Sequence, residues 1–370
     1  MDSQYRYEFT ATPEERAARH AQRAAARKAR KRAKRRRMLL RTLPLCLVVL
    51  VVSLALALAT DREEGPADSA AQGQPGAQET LPAAPAEPPV QEEPDQPYSA
   101  HVDGNTLYLG GELPSAHAIV IDLNTGTILA QKAANTQISP ASMTKILTLL
   151  VAAEHLEESR LRDTVTIDLE ITDYCFKNDC SVAGFELDEA VPVEDLLYGC
   201  ILPSGAEASL ALARYVAGSH EAFVELMNEK AEQLGLRATA RFSNCVGLYN
   251  EDNVCTVYDM AMILKAALDN DLARTVLTTK IYEIPANEFH EEGMILSNWF
   301  LRRIEDHICQ GVEVLGAKTG YVDESGNCAA SYAETAAGGH FLCVTADTVS
   351  AWQCIRDHVQ LYGTYVGVKG

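Results

Sequence analysis

A run of nineteen residues without a charge, TLPLCLVVLVVSLALALAT at positions 42–60, constrains this chain more than any other feature. At 1.5 Å per helical residue, a run of that length just spans a hydrocarbon core of about 30 Å. Fourteen Lys and Arg residues precede it, most of them within HAQRAAARKARKRAKRRR at 20–37, and Asp61, Glu63 and Glu64 follow it. The positive-inside rule therefore puts residues 1–41 in the cytoplasm and everything after residue 60 outside. A secretory signal usually has an apolar stretch of about 7–15 residues, so the length favours a retained single-pass anchor. Ala57-Leu58-Ala59 is an A-x-A pattern, so cleavage and secretion stand as the alternative.

The formal net charge of −19 is unevenly spread: +10 over residues 1–60, −8 over 61–97 and −21 over 98–370. A main domain so acidic repels polyphosphate, which argues against nucleic acid as a partner despite the basic N-terminus. Residues 61–97 are mostly Pro, Ala, Glu, Gln and Gly and offer almost nothing to bury, so a disordered, semi-extended tether is expected there. The expected order is a basic tail (1–41), a transmembrane helix (42–60), a linker (61–97) and one domain (98–370).

Within that domain, HAIVIDLNTGTILAQK at 117–132 reads as two strands around an Asn-Thr-Gly turn. Three more strands are expected at 312–320, 326–334 and 340–347. Apolar residues at 3–4 spacing predict helices over 142–156, 193–202, 206–216, 221–234, 256–270 and 272–279, and a last one over 350–361. Early and late strands around a helical middle imply an α+β domain: one antiparallel sheet flanked by helices, with a helical subdomain.

Ten cysteines include Cys46 in the apolar run, leaving an odd nine beyond it. Cys175–Cys180 and Cys245–Cys255 are close enough to close loops; buried free thiols are the equal alternative. No CxxC pair or histidine cluster has zinc spacing, so neither a metal nor another cofactor is expected.

The chemistry concentrates in three places. In SPASMTK, Ser142 and Lys145 are three residues apart, on one face of a helix. A serine is a poor nucleophile until a base takes its proton, and a lysine serves as that base when burial or a second cation lowers its pKa. Alone the spacing is weak, since about one is expected by chance in a chain this long. Ser204 lies in Leu202-Pro203-Ser204-Gly205, a tight turn at a helix start. Lys318, Thr319 and Gly320 end a strand, offering a cation, a hydroxyl and a place where a ligand backbone can approach the edge.

SxxK, a Ser-Gly turn and KTG in this order form the constellation of the penicillin-recognising serine hydrolases. Residues 98–370 resemble the serine-type D-Ala-D-Ala carboxypeptidases, the low-molecular-mass penicillin-binding proteins, through DLNTGTIL, SPASMTK, LLYGCILPSG, FSNCVGL, VYDMA and GAKTGYVDESGNC. The resemblance implies a β-lactamase/transpeptidase-like fold and removal of terminal D-Ala from peptidoglycan pentapeptide stems, with β-lactams as covalent inhibitors. It implies that Ser142 is acylated, Lys145 is its base and Ser204 passes a proton between Lys145 and the leaving group. Lys318 and Thr319 would hold the substrate carboxylate, and the backbone N–H groups of Ser142 and Tyr321 would form the oxyanion hole. The chain ends soon after its last helix, so the family's C-terminal β domain and anchor are not expected; the N-terminal segment takes over anchoring.

Two positions depart from the family pattern. Its Ser-x-Asn is here Ser204-Gly205-Ala206, followed by Glu207, and its His before a Ser/Thr pair is here Asn253-Val254-Cys255-Thr256. The missing amide implies slow acylation, with a catalytically weak or inactive muropeptide binder as the alternative. A β-lactamase is the other alternative, but 160–190 lacks the ExxxN-type loop that would activate a deacylating water.

Overall fold

The structure, a computed structural model, describes residues 98–307 and 311–366. The tail, membrane helix and linker expected over 1–97 lie outside the described residues. Among the described residues, no helix is long and apolar enough to cross a membrane.

The expected hairpin forms as β2 (His117–Asp122) and β3 (Thr127–Lys132). Its turn closes through Gly126, whose φ of +72° suits a residue without a Cβ and whose N–H donates to Asp122 O at 2.8 Å. The late strands are β8 (Val312–Val322), β9 (Gly326–Thr335) and β10 (His340–Thr348). With β1 (Leu107–Tyr108), they build a six-stranded sheet in the order β1-β3-β2-β10-β9-β8. The early hairpin joins the late strands through β2 and β10, which pair antiparallel.

The sheet is mixed rather than wholly antiparallel, because β1 pairs parallel with β3. The 109–116 connection reverses the chain before β2, so β1 runs in the same sense as the strand that follows β2.

Helices cover both faces. The first, α1 (Thr144–Glu154), buries ten of its eleven residues, as an all-round apolar helix must. It continues a single 3₁₀ turn at Ala141–Met143, so Ser142 lies on that turn just before the α-helix rather than inside it. The helical body continues with α2 (Leu169–Lys177), α3 (Val193–Ile201), α4 (Ala206–Ala217), α5 (His220–Gln233), α6 (Val257–Asp269) and α7 (Asp271–Thr278). Of these, α3 to α7 pack around α1. A short α8 (Leu301–Ile304) touches β8, and α9 (Ala351–Tyr365) lies across the sheet on the side away from α6. Six consecutive residues of β9 are buried because they are enclosed from both sides.

Two ribbons escape a reading based on periodicity: β4 (Thr164–Thr166) with β5 (Ala190–Pro192), and β6 (Ile281–Ile284) with β7 (Met294–Ser297). Strands of three or four residues are too short for alternation to declare itself. The eight described cysteines are all free thiols, so neither the Cys175–Cys180 nor the Cys245–Cys255 loop is closed by a disulfide.

Candidate active site

Three segments distant in sequence meet in front of β8. Lys145, on the first turn of α1, points back along the helix and its Nζ donates to Ser142 Oγ at 3.1 Å. A second bond, 2.6 Å to the backbone oxygen of Val246, also holds the amine. Only 2% of Lys145 is exposed, and this burial lowers its pKa from the ordinary lysine value.

Val246 O is presented by a loop that one side chain organises. Asn244 Oδ1 accepts from the N–H groups of Val246, Gly247 and Leu248 at 3.2, 2.7 and 3.0 Å, while its Nδ2 donates to Leu248 O at 3.0 Å. Gly247 has φ of +78°, and a Cβ there would stand 1.9 Å from Ala141 O. The loop therefore presses on the backbone of the nucleophile turn. The N–H of Cys245 donates to His220 Nε2 at 3.1 Å, and Thr148 Oγ1 donates to Cys245 O at 2.7 Å. In the sequence, FSNCVGL carries only a resemblance. Nothing in it points to roles for Asn244, Gly247 or His220 beyond an Asn three residues before a Gly.

The KTG strand closes the other side. At Gly320 a Cβ would lie 2.9 Å from Ser142 N and 2.7 Å from Cys328 Sγ, so only glycine lets β8 run this close to the nucleophile. Lys318, also 2% exposed, donates to Ser204 Oγ at 2.9 Å and to Thr319 O at 2.7 Å. Burial, and secondarily the charge of Lys145, bring its pKa down to about 7. Thr319 is half-buried and Tyr321 is exposed, both on a strand that forms the edge of the sheet.

Ser204 departs from the expected relay in one respect: its hydroxyl partner is Lys318, not Lys145. Its φ of +66° turns the chain sharply between α3 and α4. Gly205 follows, where a Cβ would meet Gly199 O at 2.7 Å and Ala183 N at 2.9 Å. Ala206, where the family pattern has Asn, is 1% exposed and contributes only its backbone N–H, which donates to Ser181 O at 2.9 Å.

Glu207 turns away from the lysines toward the 181–184 loop. Its Oε1 accepts from Gly184 N at 2.8 Å and its Oε2 has no hydrogen-bond partner among the described residues, while burial raises its pKa. At the second departure, Asn253 is buried and its Nδ2 donates to Thr144 Oγ1 at 3.4 Å. Thr256 caps α6 in a reciprocal box with Asp259.

The assembly is a serine beside a desolvated amine, next to a second amine on a sheet edge, which is equipment for acyl transfer. Comparison with known proteins agrees. A family model described as D-alanyl-D-alanine carboxypeptidase matches residues 105–345. The chain is 31% identical over 211 residues to D-alanyl-D-alanine carboxypeptidase DacF of Bacillus subtilis (strain 168), covering 57% of this chain and 52% of that one. It is 35% identical over 212 residues to a D-alanyl-D-alanine carboxypeptidase of Streptomyces sp. (strain K15), covering 55% and 71%. Against DacF the chain spans about half the relative's length. The crystal structure of the Streptomyces K15 DD-transpeptidase superposes with a TM-score of 0.61 at 29% identity, covering 68% of this chain and 97% of that one.

Proposed function

Since the chain belongs to the D-alanyl-D-alanine carboxypeptidase family, we propose that it is a serine carboxypeptidase that removes terminal D-Ala from peptidoglycan stem peptides. Lys145, whose burial favours the neutral amine, takes the proton of Ser142 Oγ as that oxygen attacks the penultimate carbonyl. The developing oxyanion is met by the backbone N–H groups of Ser142 and Tyr321. Lys318 and Thr319 hold the terminal carboxylate. Ser204, whose Oγ is held by the Lys318 amine, relays the proton taken by Lys145 to the leaving nitrogen, which frees Lys145 for the next step and leaves Lys318 its charge. Water then hydrolyses the acyl-enzyme, and β-lactams acylate Ser142 without quick release. No metal or cofactor enters the scheme.

The observation that carries this reading is the 3.1 Å contact between Lys145 Nζ and Ser142 Oγ in a site where both lysines are almost fully buried. The absence of a side-chain amide at Ala206 favours a slow enzyme and gives weight to the alternative of a binder without turnover. Intact-mass measurement after fluorescent penicillin separates the possibilities: a stable adduct lost in Ser142→Ala is expected. Rapid turnover would instead indicate a β-lactamase, no label an inactive relative, and an adduct on Ser139 or Ser204 the wrong nucleophile.

Residues 42–60 are proposed to hold this domain at the outer face of the cell membrane, with 61–97 as its tether, on the strength of their length and flanking charges. N-terminal sequencing of membrane-bound protein tests this; a start at Thr60 would make the segment a cleaved signal.

A further inference from the structure

We propose that Cys175 and Cys180 form a reversible dithiol–disulfide pair that controls the corner of the site carrying Ser204. Cys175 lies in the last turn of α2 and Cys180 just beyond it. Asp179, at φ of +51°, folds the chain back so that Cys180 N donates to Cys175 O at 3.0 Å. A backbone bond of that length keeps the two Cα atoms within the separation that a disulfide spans. Cys175 is buried and Cys180 half-buried, so a small reagent reaches Cys180 first. The neighbouring Cys175 side chain holds the Cys180 thiol below the ordinary cysteine value, whereas Cys180 and burial push Cys175 up. The pair thus divides into an attacking thiol and a resolving one.

The loop that begins at Cys180 is tied to the catalytic corner at three points. Ser181 O accepts from Ala206 N at 2.9 Å, Gly184 N donates to Glu207 Oε1 at 2.8 Å, and Gly205 passes so close to Ala183 that a Cβ would meet it at 2.9 Å. Two free thiols do not approach to the ~2.05 Å of a disulfide. Closing the bond therefore draws the loop and α2 together, and the contacts at Gly205 leave little slack to absorb the movement before it reaches Ser204.

The oxidant is a low-molecular-mass disulfide. Cys180 thiolate attacks one of its sulfurs and expels a small thiolate, leaving a mixed disulfide. Cys175 then attacks the Cys180 sulfur and expels the second small thiolate, which takes up the Cys175 proton. Two protein thiols become one disulfide, and one small disulfide becomes two small thiols.

The full chain is reduced, then exposed to oxidised glutathione, and both forms are measured. Trypsin cuts after Lys177, between the two cysteines, so the expected oxidised product is a pair of tryptic peptides joined through Cys175 and Cys180. Penicillin acylation, the readout that rests on the proposed function, should fall on the order of tenfold or more in the oxidised form and return on reduction. Cys180→Ser should keep one rate under both conditions, with Cys180→Ala as a substitute if the hydroxyl upsets folding. Absence of the crosslink, retention of glutathione as a mixed disulfide only, or a crosslink with unchanged acylation would each overturn the proposal. If the reduced protein takes up no penicillin, the functional reading fails but the switch is still measurable. Hydrogen exchange at the amides of Ala206 and Gly184 should then differ between the two forms, and equal exchange would reject it.

Discussion

The two sides of the site are held by different means. On the nucleophile side, backbone presses on backbone: Gly247 against Ala141 O, and Gly320 against Ser142 N, at separations that exclude any Cβ. On the Ser204 side, Gly205 apart, which packs against Gly199 O and Ala183 N, the corner is held by hydrogen bonds, to the 181–184 loop through Ala206 N and Glu207 Oε1 and to the Lys318 amine on β8. A backbone-packed side tolerates no substitution at its contacts, whereas a hydrogen-bonded side can exchange residues and keep its shape. That is where the departures from the family pattern, Ala206 and Glu207, are found.

The largest effect should come from breaking the packed side. Gly247→Ala forces a Cβ to within 1.9 Å of Ala141 O at a positive φ, so the nucleophile turn or the Val246 loop must move by an ångström or more. Misplacement of that size costs about a hundredfold in rate, and penicillin acylation should fall by at least that much. Gly338→Ala is the control: its φ is +81°, yet nothing lies within 4 Å of the added Cβ. It should cost only the left-handed conformation, about 1–2 kcal/mol in thermal unfolding, and leave acylation intact. Equal acylation losses in both variants would mean that conformation, not contact with Ala141, is what Gly247 provides.

The opposite operation sharpens the picture of the hydrogen-bonded side. Ala206→Asn restores the amide of the family's Ser-x-Asn. Hydrogen bonds to charged groups contribute about 1.5–3 kcal/mol, which corresponds to a roughly ten- to hundredfold faster acylation at about 1.4 kcal/mol per decade. Glu207 does not supply the missing contact, since its carboxylate is engaged with Gly184 N. Stopped-flow acylation by penicillin that is unchanged or slower in the variant would show that another group already makes that contact, or that the corner has closed around alanine.

How much of this was legible in the sequence follows the same division. Ser142, Lys145 and Lys318 announce themselves because their chemistry depends on residue type and local spacing, and the early hairpin and late strands follow from alternation. What holds them was hidden. Lys145 is bonded to a carbonyl oxygen 101 positions downstream, and a carbonyl has no residue signature. Ser204 pairs with Lys318 across 114 positions, where the resemblance had suggested Lys145. Asn244 works chiefly through neighbouring backbone, so its sequence looks like any loop. The parallel placement of β1 and the two short ribbons arise from tertiary pairing of segments too brief to carry a pattern.

The smallest effect expected is one of pH, and it distinguishes the two lysines. Lys318 is brought down to about 7, well below the ordinary 10.5, chiefly by burial. The unfolded chain therefore binds more protons than the folded one between about pH 7 and 10.5, so this group makes the fold more stable as pH rises through that window. Its function runs the other way. Above pH 7 the free enzyme loses the cation that holds a carboxylate, so kcat/KM for a free D-Ala-D-Ala terminus should fall about tenfold per pH unit once the group is titrated. The general-base role of Lys145 applies equally to a substrate capped as a C-terminal amide, which has no carboxylate to lose. The ratio of acid to amide kcat/KM should therefore drop between pH 7 and pH 8.5 in the wild type and stay flat, at a low value, in Lys318→Ala. A ratio independent of pH in the wild type, or equal losses on both substrates in Lys318→Ala, would remove Lys318 from carboxylate recognition and leave it as the partner of Ser204 alone.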